Sequence, residues 1–146
     1  VFAYIKASTI INMPNTLEEP IICAMDTQTM YKDKIQSAIE LALDSASELQ
    51  AEDVLMMDVS ESCAFADYFI LMTANSPRHM RAISEEIESH LKKLSLTLHH
   101  REGDQNSGWF LLDYGDLVIH LFAREHREYY SLEDAWPEAK TARFIQ

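Results

Sequence analysis

Two aspartates flank a predicted turn, Asp113-Tyr114-Gly115-Asp116, within the apolar stretch GWFLLDYGDLVIHLF at positions 108–122. Glycine supplies the positive φ that a tight turn requires at its third position, so the apolar runs on either side predict a β-hairpin. We expect both carboxylates to face solvent at the flanks of the turn, with Tyr114 at its tip. An acidic and aromatic tip of this kind suits pairing with lysine or arginine of a partner protein.

One histidine, His120, interrupts the second apolar run and shares a strand face with Val118 and Phe122. A lone histidine on an apolar face is more often a packing residue than a catalyst. We therefore expect His120 to fix the packing beneath the turn. Because histidine normally titrates near neutral pH, we also form the hypothesis that its titration modulates binding.

Four further side chains are candidates for contact with a partner. Arg78 and His79 fall in the first turn of a predicted helix, where cations oppose the helix dipole, and such an unfavourable placement suggests contact with RNA phosphate or an acidic patch. Trp109 and Tyr130 are expected to be half-buried aromatic candidates for an interface. The pattern predicts Arg124, Arg127 and Glu128 as a solvated face.

The pattern of histidines and cysteines predicts neither a metal site nor a catalytic residue. His99 and His100 are adjacent, so on a strand their side chains would point to opposite faces. Cys23 and Cys63 match no zinc-binding spacing, and neither has a histidine and an acid in an arrangement typical of a nucleophile. We expect no cofactor.

Length and charge limit the classes of fold and partner. The 146 residues, 47% of them apolar, suffice for one hydrophobic core. Lys and Arg number 12 against 24 Asp and Glu, and the net charge of −12 repels phosphate backbones and favours basic partners. The sequence contains no apolar run of the roughly 18 residues that a membrane helix needs. With two cysteines and no pattern of a secretory signal, we expect a cytoplasmic protein.

The predicted elements follow the order α-β-β-α-β-β-β-α. The helices are predicted at 31–49, from 77 onward and at about 125–135, and the strands at 53–59, 67–74, 96–100 and in the hairpin. This order indicates an α+β fold in which helices cover a mixed sheet of about five strands. We expect residues 1–26 to form a poorly ordered appendage, 27–140 a single domain, and 141–146 a C-terminal tail.

Three blocks carry a resemblance to a known family. They are DYFILMTANSPRHMRAI, REGDQNSGWFLLDYGDLVIHLF and REYYSLEDAW, in that order, within about residues 30 to 137. Together they resemble the signature blocks of the ribosomal silencing factor family, also called Iojap or RsfS. The resemblance implies a fold similar to that of nucleotidyltransferases. It also implies binding to a ribosomal protein on the intersubunit face of the large ribosomal subunit, where the factor blocks joining of the small subunit.

The resemblance further implies a homodimer in the free state, and relatives also serve in mitochondria and plastids. Asp113 and Asp116 would then pair with basic residues of the ribosomal protein, and Arg78 and His79 are the candidates for contact with rRNA phosphate. The alternative is a nucleotidyltransferase-like enzyme or a nucleotide-binding protein. That chemistry needs a phosphate-binding Gly-Ser turn and two acids on one strand face, whereas this chain has NSPRH and an acid pair across a turn.

Overall fold

A six-stranded mixed sheet with helices on both faces forms the part of the chain that the structure describes. This computed structural model describes residues 21–104 and 106–145, and the side chains of 27–104 and 106–144. The helices are α1 (Ile21–Glu48), α2 (Pro77–Lys93) and α3 (Arg124–Tyr130), followed by a 3-10 turn at Leu132–Ala135. The strands are β1 (Glu52–Asp58), β2 (Tyr68–Ala74), β3 (His100–Glu102), β4 (Trp109–Asp113), β5 (Leu117–Ala123) and β6 (Lys140–Ile145).

The strands lie in the order β3-β4-β5-β2-β1-β6, and the β2–β5 pair is parallel while the other neighbours are antiparallel. The α+β class and the mixed sheet are confirmed. The described residues contain one strand more than expected, because Lys140–Ile145 pairs with β1 where a tail was predicted. Helix α1 begins ten residues before the predicted start, at Ile21. The rest of the expected appendage, residues 1–20, lies outside the described residues.

Helices α1 and α2 cover one face of the sheet. The predicted stripe of α1 is buried at Ile35, Ala38, Ile39, Ala42 and Ala46. Helix α2 begins as expected, since Ser76 caps it by accepting a hydrogen bond from the His79 N–H at 3.1 Å and Pro77 is its first residue. Both helices pack on alternate residues of the sheet, including Ile70, Met72, Phe110, Leu112 and Ile119.

The opposite face of the sheet packs against shorter segments. Its side chains include Phe69, Leu71, Trp109, Leu111 and Phe122, and Leu132 of the 3-10 turn and Trp136 cover them. The single helix predicted at 125–135 is wrong, because Ser131 adopts a left-handed conformation with φ of +39° and ends α3. The break turns Leu132 into the core and leaves Tyr129 exposed to solvent.

Candidate functional site

Sheet topology separates the predicted site residues into two groups. Because β2 and β5 are parallel neighbours, both strands end at the same edge of the sheet, where α2 and α3 begin. That edge holds Arg78, His79 and Tyr130. The turn before β5 lies at the other edge, roughly 20 Å away along a seven-residue strand. The predicted residues therefore do not form one site.

The turn has a different register from the predicted one. Tyr114 pairs with Leu117 through a 2.9 Å hydrogen bond from its N–H, so Gly115 and Asp116 form the tip. Gly115 has φ of +89°, as the turn requires. Oδ1 of Asp113 accepts a 2.7 Å hydrogen bond from the Gly115 N–H, so this half-buried carboxylate stabilises the turn itself.

Tyr114 is not an exposed aromatic anchor, and that prediction is wrong. It continues the alternation of Phe110 and Leu112 and so points toward α1 and α2, where only 2% of it is exposed. Burial raises the pKa of its hydroxyl, and the nearby carboxylate of Glu88 adds to this effect. Tyr114 therefore stabilises the core beneath the turn and cannot meet a partner directly.

Asp116 and Asp67 face the same small cleft beside the turn. The backbone carbonyl of Asp116 accepts hydrogen bonds from the N–H groups of Asp67 and Tyr68, at 2.9 and 2.8 Å. Both residues line a cavity of about 380 Å³ together with Tyr31 and Tyr68. We call these four residues, Tyr31, Asp67, Tyr68 and Asp116, the turn cleft. Asp67 and the helix residue Tyr31 were not predicted, because only the tertiary fold brings them to the turn.

The electrostatics of the turn cleft favour a positive ligand. Burial raises the pKa of Asp116, and the neighbouring charge of Asp67 raises it further, whereas a hydrogen bond with the Tyr31 hydroxyl and the proximity of His99 oppose the shift. Among the described residues, no lysine or arginine forms an ion pair with either aspartate. A cation entering the cleft would relieve the repulsion between the two carboxylates.

His120 lies in the middle of the buried face that is opposite α1 and α2. Only 1% of it is exposed, and its Nδ1 accepts a 3.3 Å hydrogen bond from the indole N–H of Trp109, which is itself 5% exposed. Burial lowers the pKa of His120 to about 3, and the nearby Arg127 acts in the same direction. The hypothesis that His120 titrates near neutral pH is therefore wrong, and neither ring is available for direct contact with a partner.

At the other edge of the sheet, the structure gives His79 a packing role. Its Nδ1 accepts a hydrogen bond from the Asn75 N–H at 3.1 Å, which leaves Nε2 to donate to the carbonyl of Leu49 at 2.7 Å. Both ring nitrogens are thus engaged, and the Nε2 bond to Leu49 joins the start of α2 to the end of α1. Arg78 is exposed.

The prediction that Arg127 belongs to a solvated face of α3 is wrong. Only 4% of this residue is exposed, and its Nη2 lies 3.3 Å from Glu133 and 3.5 Å from Asp53. Its guanidinium also lies over the ring of Phe122 at 5.9 Å. Arg127 therefore joins α3 to β1, β5 and the 3-10 turn. The other two residues of that face, Arg124 and Glu128, are exposed, and Arg124 pairs with Glu52.

One arrangement of side chains resembles a hydrolytic triad but cannot act as one. Ser45 lies 2.9 Å from Nδ1 of His90, whose Nε2 lies 3.3 Å from Glu86. The serine is fully buried between α1 and α2, so no substrate can reach its hydroxyl. Within the described part of the chain, no group of three or more histidines, cysteines and acids could hold a metal ion. None of the described helices is long and apolar enough to cross a membrane.

Comparison with known proteins places the chain in a family. Residues 32–145 match the family model described as ribosomal silencing factor during starvation. The chain is 33% identical over 107 residues to the ribosomal silencing factor RsfS of Bacillus subtilis, covering 73% of this chain and 91% of the relative. It is also 33% identical over 102 residues to the chloroplastic protein Iojap of Zea mays, covering 70% of this chain and 44% of that protein.

Two further comparisons extend this assignment. A mouse protein named mitochondrial assembly of ribosomal large subunit protein 1 is 31% identical over 101 residues, covering 67% of this chain and 44% of that protein. A crystal structure of a protein from Chromobacterium violaceum superposes with a TM-score of 0.67 at 26% identity, covering 77% of this chain and 93% of that one. With its fold and most of its length matched, the chain belongs to the ribosomal silencing factor family, which includes the Iojap proteins.

Proposed function

We propose that this protein represses translation by binding the large ribosomal subunit and blocking its association with the small subunit. Family membership carries the proposal, because relatives are named as ribosomal silencing factors and one is named for assembly of the large subunit. We propose that the protein acts in the cytoplasm, is not an enzyme, needs no cofactor and is a homodimer when free.

We assign contact with a basic ribosomal protein at the intersubunit face to the turn cleft. Within the described part of the chain no lysine or arginine forms an ion pair with Asp67 or Asp116, although Lys32 also lines the cavity, and burial makes the Asp116 carboxylate costly to keep charged. A lysine or arginine from a partner would neutralise the pair, and Tyr31 and Tyr68 would line its apolar stem. Asp113 would flank this contact. Exposed Arg78, at the distant edge, remains our candidate for contact with rRNA phosphate.

The test is sedimentation of purified ribosomal subunits through sucrose gradients with three forms of the protein. They are the wild type, an Asp67→Lys/Asp116→Lys variant, and a Glu40→Lys/Asp44→Lys control that makes the same charge change on the exposed side of α1. Circular dichroism establishes first that all three are folded. We expect the wild type and the control to migrate with the large subunit and reduce the peak of joined ribosomes, and the cleft variant to do neither.

Two results would contradict parts of this proposal. If the wild type stays at the top of the gradient, the protein is not a silencing factor under these conditions, and nucleotide binding becomes the next function to test. If the cleft variant sediments and acts like the control, the silencing function stands while the assignment of the turn cleft fails.

A further inference from the structure

Helix α3 carries the most exposed aromatic side chain of the described residues. Tyr129 is 82% exposed and its neighbour Tyr130 is 41% exposed. Glu125 lies one helical turn before Tyr129 on the same stripe, and Glu128 is exposed beside them. We call these four residues, Glu125, Glu128, Tyr129 and Tyr130, the α3 ridge. The largely exposed ring of Tyr129 contributes little to the core, whereas tyrosine is enriched among the residues that dominate protein interfaces.

The two rings are held in place by the fold. Tyr130 packs on buried Trp109 with ring centroids 4.9 Å apart, and Tyr129 meets Tyr130 edge to face at 5.0 Å. His126 anchors the helix, because its ring packs so closely on Gly108 that a Cβ there would lie 2.4 Å from it. A partner would therefore meet a largely preordered surface, and little conformational entropy would be lost on binding.

Charge determines which partner the ridge fits. Neither Glu125 nor Glu128 has an ion-pair partner among the described residues, while the nearby Arg124 pairs with Glu52 and Arg127 is buried between Asp53 and Glu133. The carboxylates repel the phosphates of a nucleic acid. They would also repel the same ridge of a second copy in a symmetric contact. A guanidinium is attracted both to a carboxylate and to the face of an aromatic ring.

We propose that the α3 ridge binds an arginine-bearing basic segment of a partner protein. An arginine of that segment stacks on the ring of Tyr129 and pairs with Glu125. Tyr130, which packs on Trp109, holds the Tyr129 ring in place. The ridge and the turn cleft lie at opposite edges of the sheet, so the two surfaces can be occupied at the same time. The proposal does not depend on ribosome binding, and its test uses no ribosome.

The experiment measures the fluorescence anisotropy of labelled probes titrated with the full-length protein. The probes are a peptide of alternating arginine and glycine, the matching lysine peptide, and a single-stranded RNA. The variants are Tyr129→Ala, Tyr129→Phe, Tyr130→Ala and Glu125→Gln, and the Glu40→Lys/Asp44→Lys variant on the exposed side of α1 is the control. Trp109 provides a second readout in a Trp136→Phe background, because its indole contacts Tyr130.

We expect saturable binding of the arginine peptide and weaker binding of the lysine peptide. Truncation at Tyr129 or Tyr130 should weaken binding ~tenfold or more, as for central interface tyrosines. Tyr129→Phe should restore most of the affinity, and Glu125→Gln should weaken it. The Glu40→Lys/Asp44→Lys control should retain binding to the ridge. Unchanged binding in the tyrosine variants, loss of binding only in this control, RNA binding as tight as that of the peptide, or no peptide binding would each overturn the proposal.

Discussion

The indole N–H of Trp109 donates a hydrogen bond to Nδ1 of His120, 3.3 Å away, within the buried face of the sheet. This bond fixes the proton of the neutral imidazole on Nε2, which has no hydrogen-bond partner among the described residues. Burial and the charge of Arg127 both oppose protonation. The pair therefore acts as a packing unit that is neutral under physiological conditions.

His120 should reduce stability as the pH falls. Its pKa in the folded protein is lowered from 6.5 to about 3, so between these values the unfolded chain binds a proton that the folded chain does not. The free energy of unfolding should fall by at most about 1.4 kcal/mol per pH unit for this one group. Urea unfolding of the wild type and His120→Gln at pH 7, 5.5 and 4 measures the difference. A wild type that loses no more stability than the variant would show that His120 is protonated in the fold.

Asp116 should show the opposite dependence on pH. Its folded pKa is raised above 3.8, so the fold favours the neutral carboxyl, and stability is lost as the pH rises through the folded pKa. Asp116→Asn should therefore unfold at a higher urea concentration than the wild type at pH 7, with the two converging in acid. The same variant should bind the large subunit more weakly. If Asp116→Asn lowers the free energy of unfolding at pH 7, the charged carboxylate is stabilised within the fold and our account of the turn cleft is wrong.

Variants of Tyr114 test how much its buried side chain contributes to the stability of the core. Tyr114→Ala should reduce the free energy of unfolding by about 3 to 5 kcal/mol, as expected for truncation of a buried aromatic residue. Tyr114→Phe keeps the ring and should change stability and sedimentation with ribosomes little. Loss of ribosome binding in a folded, stable Tyr114→Phe variant would instead show that the hydroxyl contacts the partner. Chemical denaturation and gradients on the same samples separate these outcomes.

The apolar periodicity of the sequence was sufficient to predict α1, α2 and the strands of the core, because a buried face leaves a regular pattern. Tyr114 shows why the turn was less predictable. A shift of one residue in the register reverses the direction in which a strand side chain points. The sequence was compatible with a turn tip at either Tyr114-Gly115 or Gly115-Asp116, and the structure has the second. β6 was missed because an edge strand with exposed Lys140, Arg143 and Phe144 lacks a strong alternation. The turn cleft was beyond prediction, since Tyr31 and Asp67 reach Asp116 only through packing.

Arg127 gives the sharpest test of the ion pairs that join α3 to the sheet. Replacing it with alanine leaves Asp53 with only its 2.8 Å ion pair to Arg143 and removes the guanidinium beside Glu133. Because both carboxylates are partly exposed, the loss of stability should be smaller than the about 3 to 5 kcal/mol typical of a fully buried pair. Arg127→Lys should also destabilise, because an ammonium lacks the planar guanidinium that lies over the ring of Phe122. The control is Arg81→Ala, which removes an exposed ion pair with Glu85 and should leave the midpoint of urea unfolding unchanged. Equal midpoints for Arg127→Ala and Arg81→Ala would show that the buried network contributes no net stability. In that case Arg127 would have to be explained by a role other than holding α3 in place.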